Sequence, residues 1–167
     1  MTTQNSTPSP TVRVETRFSS LDEVVQRLEL LHRNGYTSIG KWNLAQVCEH
    51  LRDWMLFMLD GYPKPPVWMS PMIWAMRVSV GKSMLRKIIR TGKMSAGGPT
   101  MSQTVHPPQG LDDAQSVMRL KEAIARFKVH SGAFHPSPLF GPLSAETGLA
   151  LQLVHCAHHI GFLAPKS

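Results

Sequence analysis

Apolar residues recur at three- and four-residue intervals along most of this chain, in stretches opened by side chains that cap helices, and no stretch shows the period-two alternation of a strand. A chain patterned this way can bury its apolar stripes only by packing helix against helix. Ser20 followed by Glu23 makes a capping-box pattern ahead of Leu21, Val24, Val25, Leu28 and Leu31, and Asn34 with Gly35 reads as the stop. Asn43 with Gln46 makes a second box. The apolar face that follows is Leu44, Val47, Cys48, Leu51, Met55 and Met58, and Gly61, Tyr62 and Pro63 end that helix. Residues 111–129 predict a helix with Val117, Leu120, Ile124 and Phe127 inward and Lys121, Glu122 and Arg126 outward. Ser144 caps a last helix running to about Leu163.

The connections are uneven. Residues 63–66 read as a stiff linker, and residues 70–90 as helical but irregular, with Pro71 suited to a first turn and Gly81 a weak point. Residues 91–110 and 130–143, rich in Gly and Pro, read as loops, and residues 1–17 as a flexible arm that extends around Val12 and Val14. Five helices are possible, four of them forming a bundle. The expectation is an all-α domain over residues 18–167, with an extra short helix or long loop between the core helices.

At 167 residues, 42% hydrophobic and 17% charged, the chain has material for one core and is not a disordered polymer. Cys48 and Cys156 fall in two different helices, which suits packing residues better than a disulfide framework. Residues 1–10 hold no apolar run, so no signal peptide is expected. The best membrane candidate, residues 67–80, is too short to span and carries Arg77. These readings lead to an expectation of a cytoplasmic protein with no membrane partner.

Eight histidines are present. His32, His106, His130 and His135 fall near helix ends or in loops, where a solvated imidazole is the ordinary reading. His155 and His159 stand four apart on one helix, so both can reach one ion, while His158 faces elsewhere, as an exposed side chain or as a donor behind the ligands. A metal site needs a third ligand. His50 lies about 90° to one side of the apolar face of its helix, and His155 and His159 lie off theirs in the same rotational sense. Trp54 and Phe57 beside His50, with Phe162 beside His155, widen the buried arc. From periodicity alone, a metal site and a satisfied pair of core histidines stay equally open.

The segment Gly40, Lys41, Trp42, Asn43, Leu44, Ala45, Gln46 through His50 and Leu51 resembles the G-x-W-[ST/N]-L-x-Q-x-x-x-H-L signature of DinB-like proteins. The run from His155 to Leu163 is similar to their closing H-x-x-x-H helix. Leu59-Asp60-Gly61-Tyr62-Pro63, His135-Pro136 and Leu139-Phe140-Gly141-Pro142-Leu143-Ser144 resemble one branch, domain-of-unknown-function family 1569. The resemblance implies an up-and-down four-helix bundle of the DinB/YfiT-like metalloenzyme type, with His50, His155 and His159 as its metal ligands. Related families include transferases that join a low-molecular-weight thiol to a substrate, a thiol-dependent isomerase and hydrolases. The branch itself has no assigned reaction.

Three neutral imidazoles suit zinc, nickel or iron as a divalent ion and leave positions open for water or a substrate atom. The cluster is not H-E-x-x-H, and Glu49 and Asp53 point away from His50 on the helical wheel, as solvated carboxylates. Without an evident base, activation of a small thiol ranks ahead of hydrolysis. A metal-dependent transferase using a low-molecular-weight thiol is therefore the first expectation. A non-catalytic metal-binding or partner-binding bundle is the alternative, and a hydrolase is third.

The formal net charge is +7, and no acidic residue occurs between Asp60 and Asp112, whereas Lys64, Arg77, Lys82, Arg86, Lys87, Arg90 and Lys93 do. A solvated basic face accounts for this, as does a rim that attracts a small anionic substrate to the metal. The methionines of this region suit core filling or an adaptable apolar wall. No nucleic-acid motif accompanies the charge, so no nucleic-acid partner is expected. An apolar helix face left exposed would support a homodimer.

Overall fold

The computed structural model describes residues 13–95 and 101–166. The arm expected over residues 1–17 lies, as far as residue 12, outside the described residues. The chain is mainly helical: α1 Leu21–Asn34, α2 Leu44–Asp60, α3 Ser70–Met76, α4 Lys82–Thr91, α5 Asp113–Val129 and α6 Ala145–Ile160. A π-helical segment, Arg77–Gly81, joins α3 and α4 into one run. No helix among the described residues is long and apolar enough to cross a membrane.

The caps act where the sequence places them. Ser20 Oγ accepts from the Glu23 N–H at 3.2 Å, although the Glu23 carboxylate reaches back to Ser19 N–H rather than to Ser20. Asn43 and Gln46 close a full box, at 2.8 and 3.1 Å. Two neighbouring N–H groups of α2 find distant partners, Leu44 N–H on the Tyr36 hydroxyl and Ala45 N–H on Asp113 Oδ1. All four orphan donors of the helix start, the N–H groups of Asn43, Leu44, Ala45 and Gln46, are thereby satisfied, and the start of α2 is tied to the start of α5.

α1, α2, α5 and α6 share one core, built from Leu28 and Leu31, Leu51 and Met55, Leu120 and Ile124, and Cys156 and Ile160, with Leu163 beyond them. Cys48 and Cys156 are buried and free, as packing residues. Polar contacts between helices, one hydrogen bond and four salt bridges, give the helix directions. Asp113 meets Ala45, Arg119 meets Glu49 and Arg126 meets Asp60, so α2 and α5 run parallel. Glu29 meets Lys121 and Asp22 meets Lys128, so α1 runs antiparallel to α5. This corrects the simple up-and-down order: the connection over residues 61–112, with α3 and α4 inside it, carries the chain back before α5 begins.

A second correction concerns strands. β1 Tyr36–Ser38 pairs antiparallel with β2 Leu163–Pro165, with Thr37 opposite Ala164. The last helix therefore stops at Ile160, before Leu163. Three residues are too few to show alternation, and the pairing joins segments from opposite ends of the described chain. Val14 N–H extends this edge by donating to the Gly161 carbonyl at 3.0 Å.

Gly81 shows why the irregular run needs a glycine. A Cβ there would fall inside contact distance of the Leu139 carbonyl oxygen, a backbone atom that cannot rotate away. Gly81→Ala should lower stability by about 1–3 kcal/mol despite alanine's better helix propensity. Urea denaturation checks this, and an unchanged or raised midpoint would show that the loop at Leu139 yields freely.

Candidate metal centre

α2 and α6 pack antiparallel. Gln152 Nε2 donates to the Trp54 carbonyl at 3.3 Å, and His50 lies beside His155 and His159 one to two turns away. His155 and His159 stand one turn apart on α6, with ring centroids 4.8 Å apart. Each of the three histidines offers a ring nitrogen, and these nitrogens lie within 4.8 Å of one another. His50 Nε2 and His155 Nε2 are 3.2 Å apart. Two imidazole nitrogens bound to one zinc at a tetrahedral angle would stand about 3.3–3.4 Å apart, given Zn–N bonds of about 2.0–2.1 Å.

The donor set also has the right protonation. His50 Nδ1 lies 3.0 Å from the Thr104 carbonyl oxygen, which can only accept, so the ring donates there and keeps its lone pair on Nε2. Burial pushes His50 down to about 4, against the Thr104 bond that acts the other way. Burial, then the charges of His50 and His158, hold His155 well below the usual histidine range. Burial, then His155 and His50, do the same to His159. Neutral imidazole is the form that ligates a metal. The arrangement therefore fits a divalent ion in its nitrogen separation, its tautomer and its charge state.

Trp42 stacks on His159, with centroids 5.4 Å apart and planes 12° from parallel, and lies 4.9 Å from His50. Trp54 meets His50 and His155 edge-on, and Phe57 packs behind Trp54. Phe162, expected beside His155, packs instead against His158, because the chain turns at Gly161 after α6 ends. The expected exposed reading of His158 is corrected too: its ring is buried against His159 and Phe162. Burial, then the Arg13 guanidinium, pushes it down to about 4.

Other residues were read as solvated and are not. Glu49 is 3% exposed and paired with Arg119 at 3.0 Å and Arg52 at 3.5 Å. Asp53 accepts from His106 Nε2 at 2.7 Å, and the His106 carbonyl accepts from Gln46 Nε2 at 2.7 Å. The segment after the short 3-10 turn Ser102–Thr104 is thus strapped onto α2 at Gln46, His50 and Asp53. Thr104 acts through a backbone carbonyl, which leaves no mark in the sequence. His32 and His135 are exposed, as read, and His130 stacks on Phe134.

The groove along the basic stretch does not include the histidines, although the Met94 backbone at the end of that stretch hydrogen-bonds His158. This groove is lined by Ser83, Arg86, Lys87, Arg90 and Thr147. Thr147 precedes His155 by two turns of α6, about 12 Å at 1.5 Å per residue. A second groove, beside Tyr62, Trp74 and Arg77, does not touch the triad either.

Helices closing on three convergent, neutral histidines define the class: an all-α protein with a site that can hold a metal ion. A family model described as "Protein of unknown function (DUF1569)" matches residues 11–166. The chain belongs to that family. No curated protein and no solved structure matches it.

Proposed function

We propose that the protein is a four-helix metalloprotein of the DinB type, holding one divalent ion (zinc, nickel or iron) on His50, His155 and His159. The observation that carries this is the 3.2 Å approach of two buried imidazole nitrogens, with His50 fixed by Thr104 so that its Nε2 lone pair faces His155. The reaction proposed is transfer of a small thiol to a small-molecule substrate, with that substrate anionic and no nucleic acid involved. When bound, such an ion lowers the pKa of a thiol or water that reaches it.

The chain's own groups favour an incoming thiol over water. Glu49 is engaged by two arginines and Asp53 by Arg52 and His106, so neither carboxylate is placed to take a proton from water. Burial raises Cys156 to about 12 and holds Cys48 well above the usual thiol range, so neither serves as the thiolate at neutral pH. Trp42 walls the His159 side. Trp54 carries a buried indole N–H without an acceptor among the described residues, available to a polar atom of a bound molecule. A non-catalytic metal bundle is the second reading, favoured by the position of both grooves away from the triad.

Cobalt separates the two. Full-length protein loaded with one Co²⁺ per chain should develop a thiolate-to-cobalt charge-transfer band as 2-mercaptoethanol is added, saturating at one thiol per metal. Cobalt bound without such a band would remove the thiol reading and leave the scaffold. Failure to retain any metal would remove both.

A further inference from the structure

The helical run from α3 into α4 carries apolar surface that the metal centre does not use. Val67, Trp68, Met72, Trp74, Val78 and Val80 are exposed, with Trp68 at 78% and Trp74 at 59%. Only Gly81 and Ile88 are buried along the π segment and α4, and α3 has no buried residue. A helix apolar over most of its circumference and left in water calls for a partner that covers it.

Charge selects the partner. Lys64 precedes the apolar stretch and Lys82, Arg86, Lys87, Arg90 and Lys93 follow it, with no acidic residue between Asp60 and Asp112. Among the described residues only Lys93 of these has an acidic neighbour, Glu15 at 3.3 Å. A second copy of this chain, docked about a two-fold axis, would bring these cations against themselves with no carboxylate between them. An anionic bilayer supplies apolar matter and negative charge together. Residues 67–80 would span about 20 Å as a helix, short of the roughly 30 Å hydrocarbon core, so the run suits the plane of the interface and not a crossing. Tryptophan favours that depth, and cations next to it meet lipid headgroups.

We propose that residues 67–90 form an in-plane docking surface for an anionic phospholipid bilayer, with Trp68 and Trp74 entering the headgroup boundary and Lys82, Arg86, Lys87 and Arg90 meeting the lipid phosphates. This replaces the expectation of no membrane partner and is independent of the metal reading.

Vesicle flotation of the full chain tests it. Vesicles of phosphatidylcholine and phosphatidylglycerol at 7:3 should carry the protein, with a blue shift of tryptophan emission, and pure phosphatidylcholine should not. Each basic residue near such a surface contributes about 1 kcal/mol, so replacing Arg86→Glu and Lys87→Glu together should weaken binding at least ~30-fold, and more at low salt than at high. Trp68→Ser and Trp74→Ser together should remove most of the blue shift while leaving the circular dichroism unchanged, since both side chains are outside the core. No association with the anionic vesicles overturns the proposal. So does equal association with both vesicle types, or a dimer that Trp68→Ser dissolves while vesicles remain unbound.

Discussion

Adding zinc to the metal-free protein is expected to raise its melting temperature by about 5–10 °C at a hundredfold excess over Kd. Binding to the folded state alone contributes about 2.7 kcal/mol under that condition, and a domain of this size shifts by about 2–4 °C per kcal/mol. His50 comes from α2 and His155 and His159 from α6, so the ion would cross-link helices whose ligands lie 105 positions apart. His50→Ala, His155→Ala and His159→Ala should each abolish most of the metal-dependent increment. His158→Ala is the informative control. It removes a buried ring and should lower the melting temperature of the metal-free protein, yet its increment with metal should survive. An increment lost in His158→Ala and kept in His155→Ala would overturn the assignment of ligands.

Acid is expected to have a comparable effect without any metal. His50 and His158 stand at about 4 in the folded protein against about 6.5 in an unfolded chain, with burial the first cause for both. The unfolded chain therefore binds more protons between those values, and stability falls as pH drops through that window. Each of the two accounts for about 3 kcal/mol by pH 4, at 1.36 kcal/mol per tenfold in proton affinity. His155 and His159 are displaced in the same direction. A loss near 6 kcal/mol is of the order of a whole domain's stability. In chelator, urea midpoints should fall steeply from pH 6.5 to 4, and His50→Gln with His158→Gln should lessen that slope while leaving the share of His155 and His159. A flat profile in the unsubstituted protein would mean that the rings are solvated.

How much of this was legible in the sequence follows the range of each interaction. Ser20, Asn43, Gln46 and Ser144 act within one helical turn, and the helix starts could be read directly from them. The meeting of His155 with His159 is likewise local, and the resemblance in the Trp42 to His50 segment pointed to the third histidine. What escaped depends on residues far apart. Glu49 reads as solvated until Arg119 is brought to it by the parallel packing of α2 and α5. That packing depends on a long connection whose route no periodicity encodes. His106 and Thr104 lie in a Gly- and Pro-rich stretch read only as loop, and one works through its backbone. His158 was judged from its own helix, while its burial comes from Phe162 and the Arg13 segment beyond it.

The placement of the three histidines on α2 and α6 also has a bearing on time. During synthesis α2 is complete long before α6 exists, so a nascent chain can offer one imidazole but not the set of three. On the proposed metal reading, tight capture has to wait until α6 has been made and has docked against α2, with β2 pairing to β1 beside it. Metal uptake by such a protein would report the finished fold and not an intermediate. A chain stalled before His155 would leave the ribosome unable to compete for the ion.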